Sequence, residues 1–189
     1  MIKMNYINMN KPEDLYLYMK KYIKYGFTSL DNKCYSRKEL NDDKLYDKIL
    51  LESYFLQRPE QLIDNKYGLC TDQVELERDF FKQQGYEFKT FYSTYHNHTF
   101  LVYKNEEGKY VLFERTYKPM NGLKSFNSID KLFDYYKAIQ QVVCSDDKVE
   151  KVKIMEYSNL EYGTSFNEMI RQLKSNEKNK VLEYKCRYK

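Results

Sequence analysis

Cysteine and histidine are the residues of this sequence best suited to nucleophilic and acid–base chemistry, and both are scarce. The 189 residues include four cysteines and only two histidines, His96 and His98. A thiol becomes a useful nucleophile when it is ionised, and proteins commonly achieve this with a helix N-terminus or a neighbouring imidazolium. Any mechanism that needs an imidazole must therefore use one of these two histidines.

Cys70 occupies a position that favours the thiolate. Gly68 permits a tight turn just before it, and apolar residues at helical spacing predict a helix from about Cys70 to Gln84. Unpaired amides at the start of a helix favour a negative charge and suit the oxyanion that forms at an attacked carbonyl. A free cysteine taken alone is more often a buried structural thiol. We expect that role for the three cysteines without such surroundings, Cys34, Cys144 and Cys186.

A predicted hairpin would supply the base and an orienting carboxylate. Residues 98–104 and 109–116 have strand character and flank a polar turn. If the turn is centred near Glu107, Glu114 becomes the diagonal neighbour of His98 on the same face of the sheet. A carboxylate there would hold the imidazole in one tautomer and stabilise its charged form. A register shift of one residue would turn Glu114 to the other face, so the register decides the prediction.

Three strings carry these residues: GLCTDQVELERDFFKQQG, HTFLVY and YVLFERTY. Together they resemble the transglutaminase-like branch of the papain-like cysteine enzymes, and in particular small bacterial proteins with this domain. The resemblance covers residues 57–117 well and residues 122–136 more loosely. It implies that Cys70 is the nucleophile, that His98 is the general base and acid, and that Glu114 is the third member of the triad. It also implies a cysteine helix packed against an antiparallel sheet.

Two positions depart from the pattern of the resembling proteins. Thr71 follows the cysteine where relatives often have an aromatic residue, and Phe100 stands where tryptophan is common. Both changes would reshape the acyl pocket rather than the triad. Upstream of the cysteine, Gln57 and Gln61 are candidates for an oxyanion donor. On the first turns of the predicted helix, helix-dipole contacts or salt bridges are expected in preference to substrate contacts for Asp72, Gln73, Glu75 and Arg78.

The resemblance implies an enzyme that acts on a peptide or amide substrate through a thioester, with no cofactor. Water as the acceptor would make it a peptidase or amidase, and an amine would make it an acyltransferase. The triad does not choose between them, although the small size slightly favours hydrolysis. Two alternatives stay open: a non-catalytic binding module on the same fold, and a metal-binding protein that uses His96 and His98 with Glu114 or Cys70.

The predicted helices and strands that must position these residues indicate a single α+β domain over residues 1–189. Residues 1–56 form a helical N-terminal part, with a helix from Pro12, a second helix over 42–56 and a polar connection over 28–41. The core motifs follow. A helix over 129–141, a strand over 150–156 and a C-terminal helix and edge strand over 165–189 complete the chain, with a capping box from Ser165 to Glu168.

Charge and composition exclude several classes. Tyr and Phe make up 17% of the chain, which argues against disorder. The net charge of +4 comes from the tail, because residues 171–189 hold seven basic and two acidic residues. A broad nucleic-acid-binding face is therefore not expected, and only the basic tail suits an anionic partner. Without a long apolar run or a signal-like start, a cytoplasmic protein with no membrane contact is expected.

Overall fold

A computed structural model describes residues 9–143 and 151–185 of the chain, which combine helices with antiparallel strands in an α+β fold. The helices are α1 (Pro12–Tyr22), α2 (Arg37–Leu40), α3 (Asp43–Ser53), α4 (Pro59–Asn65), α5 (Cys70–Gln83), α6 (Ile129–Val143) and α7 (Phe166–Lys174). The strands are β1 (Lys24–Tyr25), β2 (Phe27–Thr28), β3 (Cys34–Tyr35), β4 (Tyr67–Gly68), β5 (Phe88–Ser93), β6 (His98–Lys104), β7 (Tyr110–Glu114), β8 (Gly122–Phe126), β9 (Val152–Tyr157) and β10 (Lys180–Tyr184).

Six strands form one antiparallel sheet in the order β10-β9-β5-β6-β7-β8. Strand β6 therefore lies inside the sheet, between β5 and β7. Leu101 pairs with Phe113 and Lys104 pairs with Tyr110. This is the register that the turn centred near Glu107 predicted, and it places Glu114 diagonally from His98. Strand β10 lies at an edge, as predicted, although the end of that predicted strand lies outside the described residues.

The two faces of the sheet carry separate hydrophobic clusters, as the alternation along β6 requires. Leu101 and Tyr103 belong to the cluster that packs under α1, α3, α5 and α7. Phe100 and Val102 belong to the cluster on the opposite face, which α6 covers with Leu132, Phe133 and Tyr136. The fold thus has three layers, and α5, the helix that begins at Cys70, lies in the larger helical layer.

The N-terminal part differs from its prediction in several places. Residues 28–41 are not a plain connection, because they include β3 and α2 and complete the β2–β3 pair. The predicted helix over 42–56 ends at Ser53, and a further helix, α4, starts at Pro59. Within α3, Tyr46 is buried, whereas Leu45, an expected core residue, is 43% exposed.

Cys34 corrects another expectation. It is exposed on β3, at the surface of a two-stranded ribbon, and is not a packing residue. Its Sγ lies 3.7 Å from the hydroxyl of Thr28 and 3.7 Å from the carbonyl of Asn65. Cys144 and Cys186, the other two cysteines that were expected to pack, lie outside the described residues. In the described ranges, no helix is both long and apolar enough to cross a membrane.

Candidate active site

The start of α5 is built around the carboxyl group of Asp72. Its Oδ2 accepts a hydrogen bond from the Leu69 amide at 2.8 Å, and its Oδ1 accepts one from the Gln57 amide at 2.9 Å. Gly68 lies against the same side chain, since a Cβ there would be 2.9 Å from Asp72 Cβ and 2.6 Å from Leu62 Cδ1. The glycine and the aspartate on either side of Cys70 therefore fix the turn that leads into the helix.

His98 and Glu114 form a buried pair across the β6–β7 hairpin. The distance from His98 Nε2 to Glu114 Oε2 is 2.7 Å. The other carboxyl oxygen, Oε1, accepts hydrogen bonds from the amides of Thr116 and Tyr117, each at 2.8 Å. Since both oxygens are held, Glu114 has little freedom to turn away from the imidazole. Nδ1 is then the ring nitrogen that is left for the thiol.

The N-terminus of α5 meets the start of β6, which brings Cys70 to His98. Cys70 Sγ lies 3.8 Å from the carbonyl oxygen of Asn97, and the hydroxyls of Thr71 and Thr99 are 3.5 Å apart. The imidazole of His98 is the neighbour that most lowers the pKa of the thiol, and the Thr99 backbone and side chain also lower it. Three residues that are well separated in the sequence are thus brought together at one end of the sheet.

The electrostatics of the pair favour an ionised thiol. Burial raises the pKa of the Cys70 thiol, but the hydrogen bond from His98 and its positive charge outweigh that effect, so the net pKa is lowered. Burial lowers the pKa of His98, but the charge of Glu114 and the contact with Cys70 outweigh this effect. The net pKa of His98 is raised to about 10. Both shifts favour a thiolate beside an imidazolium, and the two groups titrate as a coupled pair.

Two more carboxyl groups of α5 are buried near the pair. Burial raises the pKa of Asp72 to about 7, against the hydrogen bonds that it accepts. Burial, and then the charge of Glu114, raise the pKa of Glu77 well above its usual range. Sequence reasoning did not single out Glu77. Its separation of seven residues from Cys70, two helical turns on the same side, was the available signal.

A cavity of about 150 Å³ opens beside Cys70. Its lining comes from distant parts of the chain, including α3, α5, α7 and the 3₁₀ turn Tyr95–Asn97 that precedes β6. Both His96 and Asn97 in this turn have left-handed backbone angles, with φ of 54° and 49°. Strained backbone of this kind clusters at functional sites. The described residues that line it are Tyr25, Arg37, Tyr46, Leu50, Leu69, Cys70, Thr71, His96, Asn97, Phe166 and Met169.

Several sequence candidates occupy other positions. The side-chain amide of Gln57 donates a hydrogen bond to the carbonyl of Tyr67 at 2.8 Å. The side-chain oxygen of Gln61 accepts one from the backbone amide of Arg58 at the start of α4. Neither glutamine side chain is therefore directed at the thiol. As expected, Arg78 pairs with Glu75 at 2.8 Å. In addition to Asp72, Gln73 holds the start of the helix through the carbonyl of Gly68.

The metal-binding alternative lacks a set of ligands in the described parts of the chain. Over residues 9–143 and 151–185, no group of three or more His, Cys, Asp or Glu side chains is placed to hold a metal ion. His96 is exposed at the mouth of the cavity, whereas His98 is buried and paired with Glu114. His96 is therefore a turn residue near the site.

Comparison with known proteins adds no family to this picture. No protein-family model, curated protein or solved structure matches the chain. Function must therefore be inferred from the geometry of the site and from the sequence motifs.

Proposed function

We propose that this protein is a transglutaminase-like cysteine enzyme that acts on a peptide or amide through a thioester at Cys70. One observation carries the proposal: Cys70 begins α5 beside a cavity, and His98 lies next to Cys70. The Nε2 atom of His98 is 2.7 Å from the carboxylate of Glu114. The lowered pKa of Cys70 supports a thiolate at neutral pH. Nucleophile, base and orienting group are the minimum for covalent acyl transfer.

In the first half of the reaction, the Cys70 thiolate attacks the carbonyl carbon of the substrate. A C–S bond forms, and the carbonyl electron pair moves to the oxygen. The amides at the head of α5 have no acceptor within the helix, so they stabilise this oxyanion. The C–N bond then breaks, and the His98 imidazolium gives its proton to the departing amine. An acyl thioester remains on Cys70.

In the second half, neutral His98 takes a proton from the acceptor as the acceptor attacks the thioester. The C–S bond breaks, and the Cys70 thiolate is regenerated beside a protonated His98. Water as the acceptor releases a carboxylic acid, and an amine releases a new amide. Glu114 keeps the Nδ1 side of the imidazole directed at the reacting atoms in both halves.

A second candidate is a non-catalytic binding module on the same fold. It is favoured by the low exposure of the two reacting groups, since Cys70 and His98 are each only 7% exposed. In such a module the cavity would hold a ligand without covalent chemistry. The two candidates differ in the reactivity of the Cys70 thiol.

Alkylation by iodoacetamide at about pH 6 tests the proposal. An ordinary thiol has a pKa near 8.5 and is less than about 1% ionised at this pH, so a persistent thiolate should react at least about tenfold faster than free cysteine. We expect modification of Cys70, located by peptide mass spectrometry. His98→Ala and Glu114→Gln should each reduce the rate, because they remove the imidazolium or its partner.

Cys70→Ala is the control, since it reports the reaction of the remaining three cysteines. Circular dichroism of each variant shows whether the fold is kept. If Cys70 reacts no faster than free cysteine and His98→Ala leaves the rate unchanged, the enzyme proposal is wrong and the binding module is favoured.

A further inference from the structure

The cavity beside Cys70 has an apolar floor. Leu50, Leu69 and Met169 are buried side chains that line it, and the buried ring of Tyr46 lies among them. Phe166, half-buried at the start of α7, adds a second ring. Apolar surface of this kind, next to the nucleophile, favours an apolar group of the substrate because both surfaces leave water on binding.

Arg37, the one Lys or Arg among the described residues that line the cavity, does not offer a free charge to a substrate. Arg37 Nη1 lies 2.8 Å from Asp43 Oδ1, and Nη2 lies 2.5 Å from Asp47 Oδ1. Its guanidinium carbon also lies 4.5 Å from the centre of the Tyr46 ring. An anionic substrate group would have to compete with two carboxylates that already hold this cation. The charges at the mouth therefore disfavour an acidic side chain.

The size of the cavity limits what can enter. Its volume of about 150 Å³ is that of one side chain rather than of an extended ligand. An apolar cavity of about this volume holds one benzene-sized ring. A group of that size, attached next to the carbonyl carbon, would lie in the cavity while the carbonyl faces the thiol.

We propose that the acyl group transferred to Cys70 carries one uncharged apolar side chain, aromatic or branched aliphatic, which binds on Tyr46, Leu50 and Met169. The substrate class is thus a peptide or amide whose acyl residue resembles phenylalanine or leucine. This inference rests on the proposed function, because it concerns the acyl group of the same thioester. It adds a specificity that the triad does not determine.

Acylation by N-acetyl amino acid p-nitrophenyl esters tests the substrate class, because the leaving group stays constant while the side chain varies. The Phe and Leu esters should acylate Cys70 at least about tenfold faster than the Glu and Lys esters, since discrimination of this size follows from burial of one apolar side chain. Nitrophenolate release gives the rate, mass spectrometry locates the acyl group, and Cys70→Ala gives the background.

A pair of phenylalanine variants localises the preference. Phe166→Ala opens the cavity and should reduce the ratio of the Phe ester rate to the Glu ester rate several-fold. Phe126→Ala is the matched control, because Phe126 is also half-buried but lies on edge strand β8 and does not line the cavity. The control variant should keep the wild-type ratio.

Other results would overturn the inference in distinguishable ways. Equal rates with all four esters, or a faster reaction with the Glu ester, contradict the apolar acyl group while iodoacetamide reactivity leaves the enzyme proposal intact. Failure of Cys70 to react with the esters and with iodoacetamide overturns both proposals together.

Discussion

Three carboxyl groups, those of Asp72, Glu77 and Glu114, are buried around one thiol and one imidazole. Each is at most 2% exposed. A buried carboxylate is costly unless it is paired or hydrogen-bonded, so the three groups differ according to their partners. Glu114 lies against His98 and two backbone amides, whereas Oε2 of Glu77 has no hydrogen-bond partner among the described atoms. The site therefore combines an orienting carboxylate with a neighbouring carboxyl group whose pKa is raised by burial.

The buried carboxyl group of Asp72 should make the stability of the fold depend on pH. Its pKa rises from 3.8 to about 7 on folding, so between these values the folded chain holds a proton that the unfolded chain has released. This group therefore stabilises the fold below about pH 4, and its contribution is lost as the pH rises to about 7. In Asp72→Asn the free energy of unfolding should fall less steeply with pH over this window, as measured by urea denaturation.

The slope, rather than the value at one pH, is the informative quantity. Asp72→Asn also removes an acceptor of the Leu69 amide and should cost about 1 kcal/mol at every pH. Asp64→Asn, at an exposed position of α4, is the control and should keep the wild-type slope. A slope in Asp72→Asn that equals the wild-type slope would contradict the raised pKa.

Helix α7 contributes to the lining of the cavity from a distant part of the chain. Ser165 caps this helix, because its hydroxyl accepts a hydrogen bond from the Glu168 amide. This half of the predicted capping box is confirmed. The carboxylate of Glu168 pairs with Arg171 at 2.7 Å. The cap supports the first turn of the helix, where Phe166 and Met169 line the cavity.

Removal of this cap should weaken the helix without touching the triad. Ser165→Ala should lower the free energy of unfolding by about 0.5 to 2 kcal/mol, because the Glu168 amide loses its acceptor. Thermal or urea denaturation measures the change. Ser158→Ala, which changes a serine outside the helices and strands, is the matched control. An unchanged stability in Ser165→Ala would show that the hydroxyl does not hold the helix end.

The elements differ in how well the sequence predicted them. Helix α5 and strand β6 were predicted with nearly their observed limits, because apolar spacing and glycine punctuation agree there. Strand β3 was missed because it forms through pairing with β2, and α4 was missed because its seven residues are too few to show a periodic pattern. The register of one hairpin was enough to predict the approach of Glu114 to His98.

The lining of the cavity could not be predicted from the sequence, because it depends on tertiary packing. Tyr25, Tyr46 and Phe166 are far apart in the chain, and only the packing of three separate elements brings them together. Glu77 was missed because acidic residues of helices usually face solvent, and its burial depends on what packs against α5.

One sheet separates and supports the two hydrophobic clusters of the protein. Leu76 lies in the cluster under α5, and Leu132 lies in the cluster under α6; both side chains are 0% exposed. The two clusters share this sheet, since its strands place side chains in both of them. Loss of either cluster should therefore unfold the other. The protein is expected to unfold in a single transition.

Two leucine truncations test this coupling. Leu76→Ala and Leu132→Ala should each lower the free energy of unfolding by about 2 to 5 kcal/mol, since each leaves a cavity in a packed core. Leu51→Ala is the control, because Leu51 is 48% exposed and its change should lie within about 0.5 kcal/mol. Far-UV circular dichroism and tyrosine fluorescence should give coincident transitions, and two separate midpoints in either truncation would contradict the coupling.

The hairpin that holds His98 and Glu114 also suggests an order of assembly. The two residues are 16 positions apart and meet through strand pairing that closes a short loop, a process that takes about 1 to 10 μs in isolated hairpins. Cys70 reaches them through the packing of α5 against β6, which requires contacts between more distant parts of the chain. The lowered pKa of the Cys70 thiol is therefore expected only once α5 has packed against the hairpin. In a nascent or partly folded chain, Cys70 would have the reactivity of an ordinary thiol. Its nucleophilicity would rise only when α5 packs against the hairpin.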